Sequence, residues 1–297
     1  MKIRSFMVGW LKKQLERGNM KRRKKFPSFD QFDCDLNVPY MDDDNIHHKF
    51  DVFRATEHRK NICVIDIHGG SYLFGESIDN FNFGHYLFNH GLDFAAMDYV
   101  PNNGKRDTKD LLDDCYKNIK YLFAHLKEHK LDMDRFVITG DSAGGHLALT
   151  MAIAMSNPEY AKELGYDFDG IKVEAVLINC PVFDFEHISS SLSENSKIKM
   201  FGPNHSNVEM NRLISPKEHL HQLNMPLFVS TCNHDFLRKE SLMIKNMIDE
   251  NKIYFRFIDI HTYKSYVSHV HNIVFPHYDE SIIVNDAMID FINEVIK

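Results

Sequence analysis

Nothing in this sequence approaches the run of about 18 uninterrupted apolar residues that a membrane-spanning helix needs, so a transmembrane reading is set aside. Cysteine is sparse as well. Cys34, Cys63, Cys115, Cys180 and Cys232 are odd in number, widely spaced and never in a CxxC arrangement. That pattern argues against a disulfide framework and a zinc knuckle, and its simplest home is a reducing cytoplasm. Metal chemistry also lacks its usual signs. There are 18 histidines, but neither an HExxH pattern nor a compact His/Cys ligand set, so no metal is expected. No internal repeat is found, and no low-complexity tract beyond the basic cluster Lys21-Arg22-Arg23-Lys24-Lys25.

What is present is the composition of an ordinary soluble chain, 43% apolar and 26% charged over 297 residues. Such a chain buries roughly three quarters of the surface its unfolded form exposes, enough for a full core without covalent staples. The formal charge of −7 is unevenly placed, because residues 1–25 carry ten Lys or Arg against one acid, Glu16. The apolar stretch Phe6-Met7-Val8-Gly9-Trp10-Leu11 is too short for a signal peptide, and no small-residue cleavage site follows it. Instead Ile3, Met7, Trp10, Leu11 and Leu15 fall at helical spacing on one stripe. Such a helix packs on the body of the protein or over its active site; the alternative is a basic amphipathic helix touching anionic lipid. No nucleic-acid partner and no stable membrane insertion are expected, while a homodimer stays open.

Residues 26–45 hold no Lys or Arg and end in Met41-Asp42-Asp43-Asp44-Asn45, a turn signal between strands predicted at 36–40 and 46–55 in an antiparallel start. Strand-like and helix-like segments then alternate. Strands are predicted at 62–67, 92–97, 135–139, 173–179, 227–231 and 254–260. Helices are predicted up to 89, at 108–129, from 143, at 238–250 and at 280–296. This alternation implies βαβ units and a mostly parallel sheet. The stretch between Pro181 and Pro226 has no clean period and is longer than most connections, so 182–225 reads as a cap insertion. The expected organisation is an N-terminal helix and cap segment, 1–45, and a main domain, 46–297.

The chemistry is carried first by Gly140-Asp141-Ser142-Ala143-Gly144, a G-x-S-x-G motif after a predicted strand and at the start of a helix. A sharp strand-to-helix turn exposes the serine hydroxyl, and the glycines are needed because larger side chains would collide with neighbouring chain. The helix start also directs free N–H groups toward developing negative charge. Upstream, His68-Gly69-Gly70-Ser71-Tyr72 follows another predicted strand. Its glycines either aim backbone amides at a reacting carbonyl oxygen or merely permit a tight turn.

Together the two motifs resemble the hormone-sensitive-lipase-like branch of the α/β-hydrolases, the bacterial acetyl-esterase and lipase relatives, over about residues 60–297. The resemblance implies an α/β-hydrolase fold: a mostly parallel central sheet flanked by helices, with a small helical cap from the N-terminus and the 182–225 insertion. In that family the upstream loop usually reads H-G-G-G, and its last two glycines act with the residue after the nucleophile. Carried over, the oxyanion donors are the amides of Gly70, Ser71 and Ala143. Ser71 departs from glycine but keeps a backbone donor. A second departure is Asp98-Tyr99-Val100-Pro101-Asn102-Asn103, where the family often has D-Y-R-L-A-P-E.

Asp235-Phe236-Leu237-Arg238 resembles the family's D-x-L-R stretch after a late strand and makes Asp235 the acid, although a helix-capping Asp would look the same. Ser268-His269-Val270-His271-Asn272 matches the family's H-V-F-N with His269 as base; His271 is the rival, and His261 and His277 lie nearby. The order Ser142, Asp235, His269 is that of the α/β-hydrolases. The implied activity is a serine carboxylesterase cleaving small, short-acyl esters through an acyl-enzyme, with a small-molecule ester as partner and no cofactor. An amidase or formamidase on the same triad, or a hydrolase-like ligand-binding protein, are the alternatives.

Overall fold

The computed structural model describes residues 5–131, 133–190, 192–251 and 253–296. Its centre is an eight-stranded sheet in the order β1-β2-β4-β3-β5-β6-β7-β8. The strands are β1 (Asp33–Pro39), β2 (Lys49–Arg54), β3 (Cys63–Ile67), β4 (Asp93–Met97), β5 (Phe136–Asp141), β6 (Ala175–Asn179), β7 (Leu227–Cys232) and β8 (Phe255–Ile260). β1 and β2 run antiparallel to their neighbours, and every pairing from β4 through β8 is parallel. The helices in chain order are α1 (Ser5–Arg23), α2 (Phe81–Phe88), α3 (Thr108–Ala124), α4 (Ala143–Ser156), α5 (Pro158–Leu164), α6 (Phe185–Ser190), α7 (Glu194–Phe201), α8 (Val208–Leu213), α9 (Pro216–His219), α10 (Arg238–Asn251), α11 (His271–Val274) and α12 (Asp279–Val295). This is the α/β-hydrolase arrangement that the sequence motifs imply.

Side chains alternate across a strand, and that divides the core into two layers. Along β3, Cys63, Ile65 and Ile67 pack with α3, α4 and α10, whereas Val64 packs with α2 and α12. Covered on both faces, the central strands are apolar almost throughout, as parallel strands of this kind must be. α4 is buried at every residue from Ala143 to Ala154, which is why its sequence is apolar on all sides rather than striped.

Boundaries differ from expectation where local geometry intervenes. β1 begins at Asp33 and bulges at Asn37, whose φ is 54° and whose amide donates to Asp51 Oδ1 at 2.7 Å. It is part of the sheet although it precedes residue 46. The 182–225 stretch holds α6 to α9, and Phe185, Phe201 and Ile214 join the core beside α4. In α1, Trp10 is exposed rather than packed, and Leu15 faces the cavity described below. Ile3 and the side chains of Met7 and Leu11 lie outside the described residues. Among the described residues no helix is long and apolar enough to cross a membrane.

Gly144 begins the first turn of α4 against the end of β3, and a Cβ there would overlap the carbonyl oxygens of Ile67 and His68. Gly165, by contrast, caps α5 with φ 81° and open space around it. Gly144→Ala should therefore cost about 3 kcal/mol or more, since backbone must move, and Gly165→Ala about 1 kcal/mol, from the left-handed conformation alone. Urea unfolding of the two variants checks the ranking.

Candidate active site

The parallel register decides which loops meet. Ile67 pairs with Gly140, Asp141 with Asn179, and Asn179 with Ser230, so the segments leaving β3, β5, β6 and β7 emerge on one edge. Ligands of open α/β sheets bind at that carboxyl edge. Ser142 sits there between β5 and α4 with φ 52° and ψ −117°. Its amide donates to the Asn179 carbonyl at 2.9 Å, and its own carbonyl accepts from the Val182 amide at 3.1 Å. A non-glycine residue so far from the common regions costs of order 1–3 kcal/mol and persists only where its surroundings over-determine it.

His269 Nδ1 lies 2.7 Å from Asp235 Oδ1. Asp235 also accepts from the Thr231 hydroxyl at 2.8 Å and from the Leu237 amide at 2.9 Å. It thus holds the turn ahead of α10 as well as the imidazole. Burial pushes its carboxyl up, but the bond from His269, the amide and the hydroxyl together outweigh that and hold it below the usual carboxylate range. Ser142 and His269 line the same cavity, of about 440 Å³, with no hydrogen bond between them. Such contacts are often loose before a substrate closes the site. The exposed Phe236 ring lies over His269, with centroids 4.2 Å apart.

Gly70, Ser71 and Tyr72 all have positive φ, at 125°, 53° and 64°. This run of left-handed residues curls the loop so that Gly70 and Ser71 line the cavity beside Ser142. Among the described residues the amides of Gly70 and Ser71 have no acceptor, and Ala143 opens α4, where an N–H has no partner within the helix. A second cavity of similar volume adjoins this one and shares Asn19, Phe74, Gly75 and Asp79, but none of Ser142, Asp235 or His269 reaches it.

Of the other nearby histidines, His271 lines the same cavity and His261 and His277 do not. His271 is buried, with Nδ1 2.9 Å from Ser281 Oγ. His261 is exposed beside Asp259, at 3.1 Å, and His277 is exposed. Several supporting residues escaped the sequence reading. Asp141 Oδ1 accepts from the Gly69 amide and from Asn80 Nδ2, both at 2.9 Å, and Asn80 also reaches Asp66 at 2.9 Å. The only signal was an acid inside the G-x-S-x-G motif. Asn272 donates to Asn179 at 2.8 Å and is tied to Asn285, which anchors the histidine loop. Where the D-Y-R-L-A-P-E run is missing, Tyr99 stacks on His68 at 4.3 Å and donates to its carbonyl at 3.1 Å. Asn102 donates through its amide to the Tyr72 carbonyl at 2.6 Å.

Cys180 brings a thiol within 4.8 Å of the ligand atoms of Asp235 and His269, a grouping that could hold a cation. Burial, and after it the Asp235 charge, push this thiol well up. Its sulfur accepts from the Val270 amide at 3.4 Å.

Comparison with known proteins bears on this arrangement. The sequence matches the BD-FAE family over residues 50–241. A Mycobacterium tuberculosis protein named "Probable carboxylic ester hydrolase LipM" is 26% identical over 186 residues, 59% of this chain and 41% of the relative. The chain thus spans about two fifths of that relative's length. Among solved structures, esterase B of Lactobacillus rhamnosis, inhibited by a C4-C4 tributyrin phosphonate, superposes with a TM-score of 0.84 at 20% identity, covering 97% of this chain and 93% of its own. A bacterial heroin esterase gives 0.70 at 18% identity over 100% and 94%. At these identities the structural likeness establishes the fold.

The buried imidazole of His271 is pushed by burial down to about 4 from 6.5. It is neutral in the folded protein while its unfolded counterpart binds a proton below 6.5. Its contribution to stability is therefore complete above that pH and lost as pH falls toward 4. Asp66 runs the other way: burial, then the nearby Asp141 charge, lift it to about 8, so its contribution is complete at low pH and lost as pH rises to 8. His271→Gln should consequently cost most at pH 7 and progressively less toward pH 4. Chemical unfolding of wild type and variant across that range checks the sign.

Proposed function

The chain belongs to the BD-FAE family, and from that premise we propose that it is a serine carboxylesterase acting on small esters. The observation that carries the proposal is one constellation. A strained Ser142 shares a cavity with His269, whose far ring nitrogen is held by Asp235 at 2.7 Å. His271 also lines this cavity, but its Nδ1 is bonded to Ser281 rather than to a carboxylate.

In the proposed mechanism Ser142 Oγ attacks the ester carbonyl while His269 Nε2 takes the hydroxyl proton. Asp235 keeps the imidazole in the tautomer with Nδ1–H and stabilises the imidazolium. The amides of Gly70, Ser71 and Ala143 donate to the oxyanion. His269 then protonates the departing alcohol, and water, activated by the same imidazole, frees the acid and restores Ser142. A cavity of about 440 Å³ suits a short acyl group and a compact alcohol. Five unpaired cysteines support a reducing compartment such as the cytoplasm.

Ser142→Ala should lower kcat/KM on 4-nitrophenyl acetate by about 10⁴ or more with folding intact. Across a C2 to C12 series of 4-nitrophenyl esters the wild type should peak at short chains; a maximum at long chains would remove the short-acyl claim. Ser71→Gly keeps the backbone donor and relieves a positive φ, so turnover should stay within about threefold, against the roughly 10²–10³ lost when a donor is removed. Steady-state kinetics reads all three. An enzyme that cleaved 4-nitroacetanilide faster than the matching ester would favour the amidase alternative.

A further inference from the structure

Helix α1 contributes three side chains, Leu15, Asn19 and Arg22, to the wall of the cavity that holds Ser142 and His269. The helix is fastened by the neighbours of Arg22 rather than by Arg22 itself. Arg23 makes a two-pronged contact with Asp79, at 2.8 and 2.9 Å, and reaches Glu76 at 2.8 Å, while Asn19 donates to Asp79 Oδ2 at 2.7 Å. Both oxygens of Asp79 are thereby engaged. Among the described residues Arg22 is left with one hydrogen bond, from a terminal nitrogen to Asn19 Oδ1 at 3.0 Å, and its Nε is buried with no acceptor.

A guanidinium offers five N–H donors and is matched in geometry by a carboxylate or phosphate. A buried donor such as Nε left without an acceptor is costly, and the terminal nitrogens keep donors free for a ligand. Burial pulls the Arg22 pKa down; Asp79 and Asp141 act against this, and Arg23 adds to the lowering. The two acids that act on Arg22 also line the cavity; Asp79 is committed to Arg23 and Asn19, and Asp141 through Oδ1 to Gly69 and Asn80. The rest of the wall is largely apolar, with Leu15, Phe74, Phe236, Tyr266 and Phe275 facing the same space.

Building on the esterase reading of this cavity, we propose that its substrates carry an anionic group, a carboxylate, that docks on Arg22 while an apolar body lies against the aromatic wall. The basic end of α1 would then serve as the specificity determinant of the site, and its fastening through Arg23 and Asn19 would hold that determinant in register with Ser142.

The test uses pairs of esters that differ only in charge. One pair is 4-nitrophenyl hemiadipate and its methyl ester, with the charge on the acyl side; the other is 4-acetoxybenzoate and its methyl ester, with the charge on the alcohol side. Wild type should favour the charged member of at least one pair in kcat/KM by about ten- to hundredfold, the range of a hydrogen bond to a charged group, and less so as ionic strength rises. Arg22→Gln should abolish that ratio and Arg22→Lys restore part of it. No preference in wild type, or a ratio unchanged in Arg22→Gln, would overturn the proposal; so would Arg22→Gln lowering both members equally, which marks a structural role. If no ester of any kind is turned over, the esterase reading itself fails. Calorimetric titration with adipate then decides separately: heat in wild type that vanishes in Arg22→Gln upholds the anion site, and no heat in wild type overturns it.

Discussion

Because a Cβ at Gly144 would overlap the carbonyl oxygens of Ile67 and His68, helix α4 can start only where its first turn lies directly on the end of β3. The in-register pairing of Ile67 with Gly140 brings the two strand ends level. From this close approach the rest follows. The turn between β5 and α4 is forced into the strained conformation of Ser142, the loop leaving β3 must curl past it through three residues of positive φ, and unpaired amides of Gly70 and Ser71 are left beside the serine. The geometry that turns the hydroxyl toward the cavity thus also leaves these amides beside it, where the proposed mechanism uses them as donors to a developing negative charge.

Two consecutive residues tie this elbow to the N-terminal helix. Asp79 receives Arg23 and Asn19 from α1, and Asn80, next in the chain, bonds Asp141 inside the nucleophile motif. Asp141 in turn receives the Gly69 amide. A chain of three or four hydrogen bonds thus links α1 to the loop and to the serine turn. Arg22 and Arg23, in the basic N-terminal segment of an otherwise acidic chain, are thus placed by contacts.

Much of the plan was legible in the sequence because it is local. Gly140 to Gly144 declares a strand-to-helix turn by composition alone, and the alternation of apolar strands with helical segments declares a parallel sheet. What was not legible depends on partners distant in the chain. Trp10 shares the helical stripe with Leu15, yet only Leu15 meets the cavity, since the side of α1 that faces the body is set by Arg23 and Asn19 reaching Asp79. Asn80, Asp141 and Asn272 look like ordinary polar residues until the loops are brought together. The resemblance favoured His269 over His271, but it did not show that Val270 between them takes a φ of 52°. A β-branched residue rarely adopts that conformation, so nothing in the sequence foretold it.

The central claim is that Ser142 is a nucleophile activated by His269. Reaction of the purified protein with a fluorophosphonate probe, followed by peptide mass spectrometry on wild type, His269→Ala and His271→Ala, tests it most directly. The account predicts a single adduct on Ser142 that is lost in His269→Ala and persists in His271→Ala. An absence of labelling in well-folded wild type, or labelling that depends on His271 instead, would contradict it.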